Sequence, residues 1–166
     1  MSPGTSPAHV PGVEQWVEGF DRYTMSGDRR IESALVADAR DTFVDLMESQ
    51  RAVRLLHGDL QHSNVLLDAE RGWVAIDPKG VIGELEYELG AALRNPTERP
   101  QLFTDRATIG RRVDQLSADL HLDRQRIIAW AYAQAVLSAI WDIEDGWTSG
   151  AAAPAVVLAR VLRTMR

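Results

Sequence analysis

The stretch LLHGDLQHSNVLLDAERGWVAIDPKG, residues 55–80, decides the fold and carries the most informative polar side chains. Asp59 and Asp77 each follow a short apolar run, and Asn64 comes five positions after Asp59. The runs NVLLD and WVAID flank the turn-like AERG, which predicts two short strands joined as a hairpin. We therefore expect both aspartates at strand ends or in the loops that follow, where their oxygen atoms can reach a ligand.

The composition is that of a single globular domain. The 166 residues are 45% apolar and 25% charged, which is enough for a buried core. The absence of cysteine excludes disulfides and thiolate sites and fits a reducing compartment. No basic and apolar leader opens the chain, so we expect a cytoplasmic protein. A net charge of −6 without a basic cluster argues against nucleic acid as the main partner.

Apolar periodicity predicts helices on both sides of the strands. Residues 29–50 have helical spacing, with Ser26 and Asp28 as candidate caps, and shorter patterns predict helices over 87–93, around 109–120 and from Pro154 onward. Asp123 is placed to cap the apolar run 127–141, which at fifteen residues is too short to span a bilayer and indicates a buried core helix. AVRLL, residues 52–56, predicts a further short strand.

The segment HGDLQHSN, residues 57–64, fits the pattern His-x-Asp-x-x-x-x-Asn and resembles the catalytic loop of protein kinases, with Gly58 where those enzymes carry arginine. The aspartate of AIDPKG resembles the one that protein kinases place in Asp-Phe-Gly. Phosphoryl transfer needs an oriented acceptor hydroxyl and oxygen ligands for Mg²⁺, and these side chains can provide both. The alternative is that the three are turn and cap residues, as Asp and Asn often are.

The continuations IDPKGVIGELEYELGAALRNP and WAYAQAVLSAIWDIEDG are similar to the aminoglycoside and hydroxyurea phosphotransferase family. The resemblance implies an α+β, mainly helical fold, here the carboxy-terminal lobe of a protein-kinase-like fold with a small central β-hairpin insert. It also implies an ATP-dependent kinase that phosphorylates a hydroxyl of an aminoglycoside-type antibiotic or related small molecule. ATP and Mg²⁺ are the implied cofactors, with Asp59 as the catalytic base and Asn64 and Asp77 as the metal ligands.

The nucleotide-binding half of such a kinase is not recognisable. No lysine precedes Lys79, and no glycine-rich loop precedes His57. We expect a flexible lead-in over 1–15, a catalytic and substrate lobe over 16–166, and an amino-terminal lobe that is absent or supplied in trans. We do not expect Lys79 to replace the phosphate-binding lysine of the amino-terminal lobe. It directly follows Asp77 and Pro78, which places it on the wrong side of the nucleotide cleft for that role. The alternative function is a non-catalytic remnant that binds a cationic small molecule or a partner protein.

Acidic residues are the candidates for binding a cationic substrate. Asp142, Glu144 and Asp145 follow the apolar helix, where a helix carboxyl end does not favour negative charge. Glu84 is a weaker candidate, together with its neighbours Glu86 and Glu88.

The histidines of the segment are expected to be structural. His57 is expected to bond backbone near the second aspartate, and a metal site with His62 is rejected because no third ligand is suitably spaced. A metal-dependent phosphoesterase is disfavoured for the same lack of ligands.

Overall fold

The computed structural model describes residues 10–147 and 150–166. Its described part is mainly helical, with four short strands in the middle of the chain. The helices are α1 Val17–Ser26, α2 Ser33–Glu48, α3 Leu85–Leu93, α4 Gln101–Thr104, α5 Arg106–Leu120, α6 Arg124–Glu144 and α7 Pro154–Arg163. The strands are β1 Arg54–Leu56, β2 Val65–Asp68, β3 Gly72–Ala75 and β4 Val81–Gly83. The mainly helical α+β class expected from the sequence is confirmed.

Helix α6 is the centre of the core and packs against α2, α3 and α7. It is apolar on nearly every face, which is the pattern of a helix surrounded by other elements. Trp130, at its middle, is fully buried, and its ring meets Phe43 and Tyr87 edge-on with centroids 5.1 and 5.2 Å apart. Such edge-to-face pairs add about 0.5–1.5 kcal/mol each to the burial of the rings. The predicted core helix is thus confirmed.

The strands form two separate antiparallel pairs. The predicted hairpin is present as β2 and β3, with Leu67 opposite Trp73. The sequence did not predict β4, which pairs with β1 so that Leu55 lies opposite Ile82. Because β4 begins just after Asp77 and pairs with the strand that leads into His57, the second pair brings the two motif segments side by side.

Part of the predicted flexible lead-in packs against the strands. The N–H of Ile82 donates to the carbonyl of Pro11 at 2.9 Å, and Val13 is fully buried. A turn of 3-10 helix, Val13–Trp16, then leads directly into α1. Residues 11–15 therefore do not belong to a flexible lead-in, and residues 1–9 of the predicted range lie outside the described part of the chain.

Capping expectations are met at one helix and fail at another. The carboxylate of Asp123 accepts the N–H groups of Gln125 and Arg126 and caps α6 as predicted. Ser26 and Asp28 do not cap α2, whose N-cap residue is Glu32. Asp28 binds the Arg30 side chain and backbone N–H instead, which satisfies it within the turn that precedes α2. In the described ranges, no helix has both the length and the apolar composition of a membrane span.

Candidate active site

The 57–64 loop connects β1 to the hairpin and is fixed to the second motif through His57. The His57 Nε2 atom lies 2.8 Å from the backbone oxygen of Ile76, the residue before Asp77. Its Nδ1 atom accepts the N–H of Asp59 at 3.3 Å, so the ring carries its proton on Nε2 and donates it to Ile76. The N–H of Gly80 donates to the carbonyl of His57 at 3.0 Å. The architectural role predicted for His57 is confirmed.

Asn64 and Asp77 lie at the same end of the hairpin. The N–H of Ile76 donates to the carbonyl of Asn64 at 2.9 Å, which joins the residue before Asp77 to Asn64. The Asn64 side chain donates its amide N–H to the Asp59 carbonyl at 2.9 Å, which leaves the amide oxygen available for a cation. Asp77 is exposed and has a left-handed backbone, φ 56°, a conformation that aspartate tolerates better than most residues. The structure thus brings Asp59, Asn64 and Asp77 together.

Glu88, on helix α3, anchors the 57–64 loop through its side chain. Its side chain, buried in α3, accepts the N–H of Gly58 at 3.1 and 3.2 Å and the N–H of Leu60 at 3.3 Å. These charge-assisted bonds satisfy two backbone donors on either side of Asp59. From the sequence, Glu88 was predicted to be a weak substrate-binding candidate or an exposed surface residue. In the structure it is buried and anchors the loop. The available signal was a carboxylate within the otherwise apolar run LEYELGAAL, residues 85–93.

Lys79 lies beside Asp59. Its Nζ atom is 3.4 Å from Asp59 Oδ2, and Asp59 is the more buried partner, with 17% of its side chain exposed. Gly58 adopts φ +83°, and a Cβ there would come within 3.1 Å of Val81 and 3.5 Å of the Lys79 Cβ. The glycine thus makes room for Lys79 next to the loop. The contact between Lys79 and Asp59 was not predicted from the sequence.

A cavity of 210 Å³ opens next to the loop, and Gly58, Lys79, Tyr87, Arg94 and Trp141 are among its lining residues. Arg94, at the carboxyl end of α3, donates from Nη1 to the side-chain oxygen of Gln134 at 3.2 Å. Burial lowers the pKa of Arg94, while its position near Tyr87, Asp59 and Asp142 acts in the opposite direction. The guanidinium remains charged, since arginine is not deprotonated in proteins. Arg94 was not predicted as a site residue, because a lone arginine before Asn-Pro carries no recognisable signal.

Glu84, predicted as a weak substrate-binding candidate, is buried in the core. It is 1% exposed, and its carboxylate accepts from the Arg126 guanidinium at 2.5 and 2.8 Å and from the Trp130 indole. A second oxygen accepts the N–H of Arg51 at 3.2 Å. These bonds join α3 to α6 inside the core. We therefore correct the expectation that Glu84 contributes to a substrate surface, since its position gives it a structural role.

The acidic residues that follow the apolar helix do not form one cluster. Glu144 is paired with Arg22 at 3.1 Å, and Asp145 is exposed just past the end of α6. Asp142 lines a second cavity of 230 Å³ together with Arg94 and Ser138. Asp142 is thus the member of this group that lies nearest to the loop-side cavity.

The described residues contain no group of three or more His, Cys, Asp and Glu side chains arranged to hold a metal ion. The pair Asn64 and Asp77 is a different type of candidate metal site, because it offers one carboxylate and one amide oxygen. Mg²⁺ commonly keeps several waters and takes few protein ligands, so such a pair fits it.

The hairpin exposes apolar side chains next to the site. Leu66, Leu67 and Trp73 are 47%, 68% and 72% exposed, although they occupy both faces of the β2–β3 ribbon. Leu55 and Ile82, opposite each other in the other strand pair, are 68% and 40% exposed. Clustered apolar exposure of this kind is typical of an interaction surface or a ligand-binding groove.

With this geometry established, comparison with known proteins identifies the family. The family model described as aminoglycoside/hydroxyurea antibiotic resistance kinase matches residues 1–146. The chain belongs to this family. No solved structure gave a significant match to this member of the family.

Three relatives illustrate the similarity. The chain is 40% identical to streptomycin 6-kinase of Streptomyces griseus over 148 residues, which are 88% of the chain and 44% of the relative. It is 35% identical to streptomycin 3''-kinase of Klebsiella pneumoniae, over 84% of the chain and 52% of the relative. It is 34% identical to hydroxyurea phosphotransferase of Kitasatospora aureofaciens, over 78% of the chain and 34% of the relative. The chain thus spans about half the length, or less, of these kinases.

Proposed function

We propose that the chain is the catalytic and acceptor-binding half of an ATP-dependent phosphotransferase that phosphorylates a hydroxyl of an antibiotic-type small molecule. The observation that carries the proposal is the convergence of Asp59, Asn64 and Asp77 at one end of the hairpin, held there by His57 and Glu88. A set of unrelated turn residues would not need a buried carboxylate to fix the backbone around Asp59.

In this proposal Asp59 orients the acceptor hydroxyl and accepts its proton. Its neighbour Lys79 places a positive charge 3.4 Å from the carboxylate, next to the position where phosphoryl oxygens would carry negative charge. Asn64 and Asp77 would hold Mg²⁺ through their oxygen atoms, and the bound metal would neutralise charge on the phosphates of ATP. Glu88 and His57 keep these groups in place and touch neither acceptor nor phosphate.

An aminoglycoside-type acceptor is supported by the printed names of two relatives and by the acidic end of α6. Asp142 and Asp145 would receive amino or guanidino groups of such a molecule, with Glu144 contributing when Arg22 is displaced. The ATP supply and the lack of cysteine favour the cytoplasm as the place of the reaction.

The exposed apolar residues of the strands support a second half that docks on them. The matched region is 44% of one relative and 52% of another, so about half of each lies outside it, which is enough for a nucleotide-binding lobe. We propose that this lobe, in the same gene product or in a separate chain, covers Leu66, Leu67 and Trp73 and completes the ATP site.

The test is complementation by a relative's other half. The chain is combined with the amino-terminal half of the Streptomyces griseus streptomycin 6-kinase, as a mixture and as a fusion, and incubated with ATP, Mg²⁺ and streptomycin. Transfer of the γ-phosphate to streptomycin is the expected result, detected by mass spectrometry. A folded fusion that binds ATP and transfers no phosphate to streptomycin or hydroxyurea would contradict the proposal and favour a non-catalytic binding protein.

A further inference from the structure

Lys79 links the two segments that carry the proposed catalytic residues. It follows Asp77 by two positions in the chain, and its Nζ atom lies 3.4 Å from Oδ2 of Asp59. Among the residues that the structure describes, Asp59 has no other salt-bridge partner. The only lysine of the chain is therefore in contact with the proposed base and close in sequence to a proposed metal ligand.

The backbone around Asp59 is fixed on both sides. Glu88 accepts the N–H groups of Gly58 and Leu60. The N–H of Asp59 itself donates to Nδ1 of His57 at 3.3 Å. The Asp59 side chain is also largely buried, with 17% exposed. The carboxylate thus has a well-defined position relative to the loop.

The Lys79 side chain combines a fixed stem with an exposed end. The N–H of Gly80, the next residue, donates to the His57 carbonyl at 3.0 Å, and the Lys79 Cβ packs against Gly58. The side chain as a whole is 67% exposed. Its distance from Asp59 exceeds the length of about 2.7–2.9 Å that is usual for a charge-assisted N–H···O bond. The ammonium group can therefore leave Asp59 while the backbone of Lys79 stays in place.

We propose that Lys79 is a catalytic residue that couples ATP consumption to the presence of the acceptor. Without acceptor, its ammonium group occupies the Asp59 carboxylate and keeps a water molecule out of the position of the acceptor hydroxyl. When that hydroxyl binds Asp59, the ammonium group turns to the γ-phosphoryl oxygens and stabilises their negative charge. The inference rests on the proposed function and adds to it the suppression of ATP hydrolysis.

The reaction proceeds without a change in the protonation of Lys79. The acceptor oxygen forms a bond to the γ-phosphorus as the bond from that phosphorus to the ADP oxygen breaks. The hydroxyl proton passes to Asp59 and then to solvent. With water in place of the acceptor, the same steps yield inorganic phosphate and ADP, a side reaction that kinases must suppress. Lys79 keeps its proton in both cases, so its contribution is electrostatic and steric.

A lysine suits this double role better than an arginine. An ammonium group is compact, has three rotatable donors and sits on a flexible stem, whereas a guanidinium holds a carboxylate through two parallel bonds. An ion pair with an exposed partner is weak, so the hydroxyl of a bound acceptor can displace Lys79. Lys79→Arg should therefore hold Asp59 more firmly and release it less readily.

The experiment uses the fusion with the amino-terminal half of the Streptomyces griseus kinase and measures two rates. These are ATP hydrolysis without acceptor and phosphate transfer to streptomycin. Their ratio is informative, because a loss of phosphoryl stabilisation alone slows both reactions alike. Lys79→Met should slow transfer by about 100-fold, the effect of removing one group that stabilises transition-state charge. It should raise the ratio of hydrolysis to transfer about 5-fold, the occupancy that an ion pair of this exposure provides.

Two further variants distinguish the pairing with Asp59 from a general loss of charge. Lys79→Arg should slow transfer without raising the ratio, since the carboxylate stays occupied. Arg71→Met is the matched control, because it removes an exposed cation that lies 3.3 Å from Asp68 in the turn between β2 and β3. It should leave both rates unchanged. Circular dichroism verifies the fold of each variant.

A second measurement examines the ion pair in the full chain without ATP. Reductive ¹³C-methylation keeps the charge of an amine and labels Lys79 and the N-terminal amine. Lys79→Arg assigns the two signals. We expect Asp59→Asn to shift the Lys79 methyl signal and Asp68→Asn to leave it unmoved.

Two results would overturn the inference: a ratio of hydrolysis to transfer that Lys79→Met leaves unchanged, or a Lys79 methyl signal that Asp59→Asn leaves in place. With either result, transfer by the unmodified fusion still supports the proposed function. An unmodified fusion that transfers no phosphate contradicts the proposed function and the coupling role together, whereas a shifted methyl signal then confirms the ion pair alone.

Discussion

The buried carboxylate of Glu88 accepts the backbone N–H of Gly58 at 3.1 Å, so helix α3 directly holds the loop that carries Asp59. Glu88→Gln replaces one accepting oxygen by an NH₂ group and removes the charge from three hydrogen bonds. We expect a loss of about 1.5–3 kcal/mol in the free energy of unfolding, typical of hydrogen bonds to a charged group. Urea unfolding followed by circular dichroism measures it.

Glu86→Gln is the control, since Glu86 lies on the same helix and makes none of these bonds to the loop. It should change the free energy of unfolding by less than about 0.5 kcal/mol. Equal effects of the two substitutions would show that Glu88 does not anchor the loop.

The Glu84–Arg126 pair predicts a large loss of stability when one partner is removed. Arg126→Met leaves the carboxylate of Glu84 buried without its charged partner, which costs about 3–5 kcal/mol. Arg124→Met is the matched control on the same helix, because Arg124 pairs with Asp114 at an exposed site and should contribute less than about 1 kcal/mol. Urea midpoints of the two variants compare them directly. Similar midpoints would contradict the buried role of Glu84.

Alanine substitutions at two glycines with left-handed backbone distinguish the cost of backbone strain from the cost of steric crowding. Gly58 and Gly72 have φ near +83° and +74°, but only at Gly58 would a Cβ meet neighbours within 4 Å. Alanine at either position costs about 1–3 kcal/mol for the backbone. Gly58→Ala should lose more than Gly72→Ala, since Val81 and Lys79 must also move. The unfolding free energies measure the difference, and a smaller loss at Gly58 would contradict the packing of Lys79 over the loop.

Asp28 predicts an acid-sensitive contribution to stability. Hydrogen bonds from the Arg30 side chain and backbone lower the pKa of Asp28 from 3.8 to about 2. A carboxyl whose pKa is depressed on folding stabilises the protein above its unfolded pKa and loses that contribution as the pH falls through the folded one. Asp28→Asn should therefore be less stable than the unmodified chain at pH values above 3.8, and the gap should close as pH approaches 2. A gap that stays constant in urea titrations across this range would contradict the assignment.

The sequence predicts the site best where its parts are close along the chain. Asp59, Asn64 and Asp77 are connected through one hairpin, so spacing and a turn signal were sufficient to place them together. The N-cap of α6 at Asp123 was also predictable from local sequence, because a capping side chain accepts N–H groups of the next few residues.

The parts that the sequence did not predict depend on distant partners. Glu88 bonds backbone groups about 30 residues earlier in the chain, and Glu84 pairs with Arg126 across 42 positions. A carboxylate buried by such a pairing has the same local pattern as an exposed one, and this ambiguity led to Glu84 being placed on a substrate surface. Strand β4 was missed because its three residues are paired by β1 and have no periodicity of their own.

The most direct test of the central claim is the phosphate transfer rate of the complemented enzyme with Asp59→Asn. Asp68→Asn is the matched control, because Asp68 ends β2 in the same hairpin region and, among the residues that the structure describes, bonds within its own turn. We predict that Asp59→Asn lowers kcat by about 100-fold or more, the usual contribution of a general base, and leaves ATP binding intact. Asp68→Asn should retain the full rate. Transfer by Asp59→Asn at the rate of the unmodified enzyme would contradict the account.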